Sequence, residues 1–399
     1  MKRAAIIGAS AEAVHSIEVA RELDVETIAL DGNSMAEGLS AANHGIIVDI
    51  SNEEETISLL QKEKPDFVLT VPIGRYLTTI GAVNDALGLR GVSKAAAKLC
   101  TDKYAFHQAL GNLRPCQCYL LNASVIKDKT IQDFTLQYPA ILKPRFGSGS
   151  RAVTFLTNEQ AAEKALQEIL SDDEDFVLEE AFPGEEYGVD GAMTGTEFQL
   201  ILLRKKINTP PPARQAVGYY SEFDQTICTR VKDYLEKVVA VMGLQDCLFH
   251  ADLMIRDEQV RAIELSARPS GHNLHNLFTP MTTGIDMAEQ FIRYQTGMLY
   301  HFKPDFQRKM LIHYFNLENC DIEAVPEVED IKLNGSVRLE AWYCTIKPGD
   351  HMEQVINGHS LMGRGYFVLE YTGEEQGTEQ VEKILVETAV EVLGYFKTK

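Results

Sequence analysis

Over the first 95 residues, short apolar runs alternate with segments of helical spacing, and this alternation limits the fold more than any other feature. RAAIIG (Arg3 to Gly8) closes on a glycine, and SAEAVHSIEVAREL follows at helical spacing. ETIALDG (Glu26 to Gly32), HGIIVDI (His44 to Ile50) and DFVLTVP (Asp66 to Pro72) read as further strands, with TISLLQKEKP and TIGAVNDALGL as helices. The apolar character of the runs fits burial on both faces, as in a parallel sheet with right-handed crossovers. Residues 1–95 are therefore predicted to form a small doubly wound α/β unit. Gly8-Ala9-Ser10 offers a helix N-terminus to an anion. The full dinucleotide fingerprint is missing, so a tight turn with Ser10 as cap is the preferred reading.

The style changes further along. Ser93 to Leu113 reads as two short helices, with Thr101 or Asp102 as N-cap of the second. QCYLL, PAILKPR, AVTFL, EFQLILLRKKI and the two halves of DFVLEEAFPGEEYGVDGAMTG read as strands. NEQAAEKALQEIL and VKDYLEKVVAVMGL read as helices, and CLFHADLMIRDEQVRAIELSARPSG as a hairpin turning near Asp257-Glu258. This is an α+β unit, assigned to 96–300. A smaller α+β unit, 301–399, closes on the helix QVEKILVETAVEVLGYF. A length of 399 residues suits two to three domains. A net charge of -20 argues against a nucleic-acid surface, which relies on Lys and Arg neutralising phosphates. The seven cysteines are odd in number and lack C-x-x-C spacing, so neither a disulfide framework nor a zinc site is expected. Cys116-Gln117-Cys118 reads as a strand edge. No signal segment is evident, and no apolar run approaches the ~20 residues of a membrane span. The expected compartment is the reducing cytoplasm.

YPAILKPRFGSGSRAV (Tyr138 to Val153) poses the functional question. It places a basic, glycine-flanked loop directly after an apolar strand, and matches neither G-x-x-x-x-G-K-[ST] nor G-x-G-x-x-G. Lys143 lies inside the apolar strand, where a solvated lysine is unexpected. Backbone N–H groups of Gly147, Ser148, Gly149 and Ser150 can fold over phosphate oxygens. Transfer from ATP also needs carboxylates for magnesium and a pocket for adenine, and the segments that follow offer both. Glu179 and Glu180 end one strand and Glu186 starts the next; such carboxylates can accept from an adenine amino group or hold ribose hydroxyls. Backbone groups near Phe182 can read the remaining adenine edge. Without a ligand this is an acidic surface turn. Asp252 and Glu264 fall on adjacent antiparallel strands, where one face can present both to magnesium. Their mutual repulsion is costly unless a cation is present. Arg268 can meet a phosphate or carboxylate bidentately. His272 and Asn273 either contact substrate or cap the next helix. Arg204 to Gln215 reads either as a basic loop near substrate or as a solvated hairpin.

The ordered set TDKYAFHQAL, YPAILKP, GSGSR, VLEEAFPGEEYGVDG and D…E-x-S-x-R ending in ARPSG resembles the ATP-grasp superfamily across Ser93 to Gly297. GVSKAAAKLCTDK and TTGIDMAEQFIRYQTG look like its flanking segments. Residues 1–95 resemble the domain that precedes ATP-grasp modules, and the tail is similar to the small C-terminal domain of carboxylate–amine ligases, including L-amino acid ligases. The resemblance implies a central ATP-grasp fold of two α+β lobes. It implies that Lys103 and Lys143 contact ATP phosphates, that the loop 147–151 closes over the triphosphate, and that Glu179 and the Phe182 backbone hold adenine while Glu186 holds ribose. It implies Asp252, Glu264 and position 266 as ligands of two Mg2+ ions, and Arg268 beside an acyl phosphate. The superfamily usually has Asn where this chain has Ser266, a shorter donor, and some members have Lys where it has Glu180. The implied activity is ATP-dependent joining of a small-molecule carboxylate to an amine, on an amino acid or small peptide, with homodimers common among relatives. The alternatives are a purine-pathway or bicarbonate-using ATP-grasp enzyme and a non-catalytic ATP-binding regulatory protein, which Ser266 keeps open.

Overall fold

The computed structural model describes all residues except 123, 126–129, 148–151, 170–173, 211–213, 356–357 and 375, and all side chains of the described residues except those of 359 and 362. The expected parallel sheet is present. Strands β1 (Lys2–Ile7), β2 (Val25–Asp31), β3 (His44–Ile47) and β4 (Phe67–Val68) pair in parallel in the order β3-β2-β1-β4. β3 and β4 are shorter than their apolar runs. Both are edge strands, and the chain after β4 keeps only isolated bonds such as Leu69 N–H to Ala5 O at 2.9 Å. Ser10 takes the N-cap position of the first helix, Ala11–Glu22, but its hydroxyl makes no capping bond.

Two antiparallel sheets follow. The smaller contains β5 (Cys118–Leu121), β6 (Ala140–Pro144), β7 (Thr154–Leu156) and β8 (Phe176–Glu180), in the order β5-β8-β6-β7. Cys118 thus lies on an edge strand, as read from the sequence. Leu142 and Leu178 pack against Ala162 and Ala165 of the helix Glu159–Glu168. The larger sheet is built on β9 (Glu185–Thr194), β10 (Glu197–Asn208), β11 (Ala216–Glu222), β12 (Cys247–Arg256) and β13 (Gln259–Ser266). Three strands from the last hundred residues extend it: β14 (Met310–Tyr314), β16 (Val337–Cys344) and β18 (Gly365–Tyr371), after which the order is β13-β12-β9-β10-β11-β14-β18-β16. The short strands β15 (Cys320–Ala324), β17 (His351–Met352) and β19 (Lys397–Thr398) form a separate ribbon.

Helices cover the large sheet at both ends. Val231, Leu235 and Val238 of Gln225–Met242 share a core with Leu253, Ala262 and Leu265. Val381, Leu385 and Ala389 of Thr378–Leu393 share another with Leu311, Phe367 and Leu369. The N-terminal unit is joined to this body by apolar packing of Ala13 and Ile17 with Met287 and Phe291. Beside it, His15 Nε2 meets Asp286 Oδ2 at 2.7 Å. Among the described residues no helix is long and apolar enough to cross a membrane.

Candidate active site

A cavity of about 450 Å³ opens between the small sheet and the large one, with Glu12 of the first helix and the segment Pro72, Ile73, Gly74 along one side. The small sheet supplies Lys143 and Glu179. They face each other across the β6–β8 pairing, where Lys143 is opposite Val177 and Ile141 opposite Glu179. Lys143 Nζ donates to Glu179 Oε1 at 2.6 Å, with both side chains almost wholly buried. Glu179 also accepts from Arg114 Nη2 at 3.3 Å and is bonded to His107 Nε2. Burial opposes its ionisation, but Lys143, then Arg114 and His107, hold the carboxyl well below its usual range. Burial keeps His107 below its own usual range despite the adjacent carboxylate. Both oxygens of Glu179 are therefore already engaged, and an adenine amino group would compete with Lys143, Arg114 and His107 for them.

Asp102 caps the helix Lys103–Leu110, accepting from Tyr104 N and Ala105 N at 3.0 Å, as its sequence position suggested. This sets Lys103 in the first turn, where its ammonium donates to Gly147 O at 2.6 Å. Burial lowers the Lys103 pKa, opposed mainly by Glu264. Arg145 is tied to Asp102 and Asp175 and so braces the base of the glycine loop. Ser148, Gly149, Ser150 and Arg151 lie outside the described residues.

The large sheet supplies the carboxylates. In the β12–β13 ladder Asp252 is opposite Glu264 and His250 opposite Ser266, so the four side chains share one face. The register slips by one residue immediately after Asp252, the mark of a bulge that re-aims side chains. Single ligand atoms of His250, Asp252 and Glu264 lie within 4.8 Å of one another. Burial, then the Arg268 charge, hold His250 well below its usual range. Lys206 from β10 donates to Asp252 Oδ2 at 2.8 Å and to Glu186 Oε1 at 2.7 Å. Asn208 adds a bond to Glu186 at 3.1 Å. Gly188 leaves room here, because a Cβ on it would sit 3.4 Å from Arg204 Nη2 and 3.8 Å from Asp252 Oδ1. Arg268 lines the same cavity and donates from Nη1 to Pro269 O at 2.8 Å, while its buried Nε has no partner among the described residues. Phe182 packs against Arg261 and Arg256, whose guanidinium carbons lie 4.1 and 4.7 Å from the ring centre.

Lys103, Lys143, Gly147, Glu179, Phe182, Glu186, Asp252, Glu264 and Arg268 all line this one cavity, whereas Asn273 does not and Gly8 and Ser10 line a separate one; Ser266 stands across the ladder from His250. Two further participants escaped the sequence reading, and a third was seen only as part of the basic run 204–215. His107 and Arg114 look like ordinary helix and loop residues until folding sets them against Glu179. Lys206 was hidden in RKKI, although strand alternation carries the signal: Arg204 and Lys206 face the cavity, whereas Lys205 pairs with Glu185 and Glu382. His272 reaches the cavity, and its N–H donates to Glu12 Oε1 at 2.7 Å. Asn273 holds the N-cap position of the following turn without a side-chain cap.

Residues 136–275 match the family described as the ATP-grasp domain. The D-alanine--D-alanine ligase of Clostridium perfringens is 26% identical over 285 residues, which cover 67% of this chain and 90% of that protein. The alanine--anticapsin ligase of Bacillus subtilis is 24% identical over 276 residues, covering 59% and 56%. The crystal structure of L-amino acid ligase from Bacillus licheniformis superposes with a TM-score of 0.75 at 17% identity, covering 98% of each chain. That of phosphoribosylglycinamide synthetase from Anaerococcus prevotii gives 0.73 at 18%, covering 100% and 99%. At such identities the two structures speak to the fold alone. The chain contains an ATP-grasp domain. By these matches it is an enzyme, and the relatives named above are ligases.

Proposed function

We propose that this chain joins the carboxylate of an amino acid or small peptide to an amine, through an acyl phosphate made at the expense of ATP. The observation that carries the reading is the convergence of Lys103, Lys143, Asp252, Glu264 and Arg268 on one cavity between two sheets. A carboxylate resists attack because its charge and resonance oppose a nucleophile. Transfer of the γ-phosphoryl group turns one carboxylate oxygen into a leaving group, and the amine then displaces phosphate.

In this reading the nucleotide lies with its base near Phe182 and the backbone of 180–182, and with its ribose near Glu186. Lys103, Lys143 and the 147–150 loop receive the phosphates, and Glu179 keeps Lys143 fixed in a buried position. Asp252 and Glu264 suit magnesium, being oxygen donors opposed in register, with an electrostatic cost that a cation removes. Up to two ions fit the resemblance, with Ser266 the weaker donor. Bound magnesium would offset phosphate charge during transfer. Arg268 has a buried N–H without a partner among the described residues, which an anionic carboxylate or phosphate would satisfy. The name of the D-alanine--D-alanine ligase of Clostridium perfringens supports an amino-acid substrate.

The test is phosphate release from Mg-ATP with single and paired amino acids, followed by small carboxylates and purine intermediates. Release that needs both a carboxylate and an amine, with a product mass equal to their condensation, is the expected result. Release with bicarbonate or a purine intermediate alone would replace this reading by another ATP-grasp chemistry. Nucleotide binding without release in any set would favour a regulatory protein.

A further inference from the structure

The metal face of the large sheet carries a nitrogen donor that an oxygen-only site leaves unused. His250 precedes Asp252 by two residues on β12 and therefore projects from the same face. It stands directly opposite Ser266, where the sequence offers a short hydroxyl. His250 Nδ1 is shielded from solvent and has no hydrogen-bond partner among the described residues. Buried polar atoms generally have a partner, and His250 also brings one ring nitrogen into the cluster with Asp252 and Glu264. On the reading that Asp252 and Glu264 bind a metal, we propose that His250 is the third protein ligand of that ion, standing in where Ser266 falls short, and that the site consequently favours Mn2+ over Mg2+.

The geometry is close to what coordination needs. Metal–ligand bonds of about 2.1 Å allow donors up to roughly 4.2 Å apart across an ion. Three donors within 4.8 Å of one another lie no more than about 2.8 Å from a common centre, so bonds of about 2.1 Å form with inward shifts of at most about 0.7 Å. Lys206 occupies Asp252 Oδ2, so an ion would approach the other oxygen or share this one. The positive charges of Lys206, Arg204 and Arg268 surround His250 and oppose any cation. The two carboxylates, together with the phosphates of a nucleotide, counter them. Imidazole adds little for magnesium, which prefers oxygen, and more for manganese and later divalent ions.

The experiment uses the full chain freed of metal by chelation, then given Mn2+ and ADP. Electron spin echo measurements should show a directly coordinated 14N. That signal should change when histidine is labelled with 15N, and disappear in His250→Gln. The same variant should bind Mn2+ about 10-fold or more weakly, with a change of less than about 3-fold for Mg2+. Asp252→Asn should weaken both ions. Binding that depends on Asp252 but shows no nitrogen coupling in the unsubstituted protein would overturn the His250 assignment and leave the ligase reading in place. Binding indifferent to both Asp252→Asn and Glu264→Gln would overturn the metal assignment in both. The nitrogen signal is read on the unsubstituted protein, so a variant that fails to fold cannot decide the outcome.

Discussion

Lys143 and Glu179 are each buried, and each removes most of the other's electrostatic cost. Removing Lys143 leaves the buried Glu179 with Arg114, at 3.3 Å, as its remaining cation, and breaking a buried pair typically costs about 3 kcal/mol or more. Lys143→Met should therefore lower the urea midpoint markedly, whereas Lys103→Met, which gives up one bond to a carbonyl, should cost about 1 kcal/mol. Equal costs for the two would contradict the buried-pair description. Asp252 and Glu264 make the opposite case. Their mutual repulsion is relieved by substitution, and Lys206 keeps Glu186 at 2.7 Å as partner when Asp252 is replaced, so Asp252→Asn and Glu264→Gln should leave the melting temperature within a few degrees. Turnover should fall by roughly 10²–10³-fold, the scale of lost transition-state electrostatics. A collapse of stability in these variants would place them in the fold rather than in the chemistry.

The strands that carry the site were legible because their chemistry and their period coincide. The D…E-x-S-x-R hairpin put Asp252 and Glu264 on one face, and the ladder has that register, while Arg268 follows beyond the end of β13. β10 was legible as a strand, but its contribution was left open, because RKK reads equally well as a basic run near substrate and as a solvated one. Its period-2 alternation separates the two lysines, and that separation is testable. Lys206→Met should reduce kcat/KM by about 10-fold or more, since it strips a cation from Asp252 and Glu186. Lys205→Met, on the other face, should change it by less than about 2-fold. The His107–Arg114–Glu179 cluster could not be read in advance, since it depends on a helix, a loop and a strand separated by up to 72 residues. Nor could the joining of β14, β16 and β18 to β11, because strand spacing along a chain says nothing about which open edge a later strand will find.

At the scale of the whole molecule, three stretches of chain close around one cavity, and the N-terminal unit contributes to its wall. That unit is held partly by His15 and Asp286. The hydrogen bond to Asp286 raises the His15 pKa above its ordinary 6.5, outweighing burial. A raised folded-state value means the stabilisation is complete below pH 6.5 and is lost as pH rises through the folded pKa. Thermal unfolding followed from pH 6 to pH 9 should show this loss in the unsubstituted chain and a flatter profile in His15→Gln. An identical profile in both would assign the pH dependence elsewhere. The central claim is the acyl phosphate itself, and isotope transfer tests it most directly. With the carboxylate substrate enriched in 18O, one labelled oxygen should appear in the inorganic phosphate released alongside ADP, read by its 31P shift. Phosphate free of label, or release of AMP and pyrophosphate instead, would contradict the mechanism.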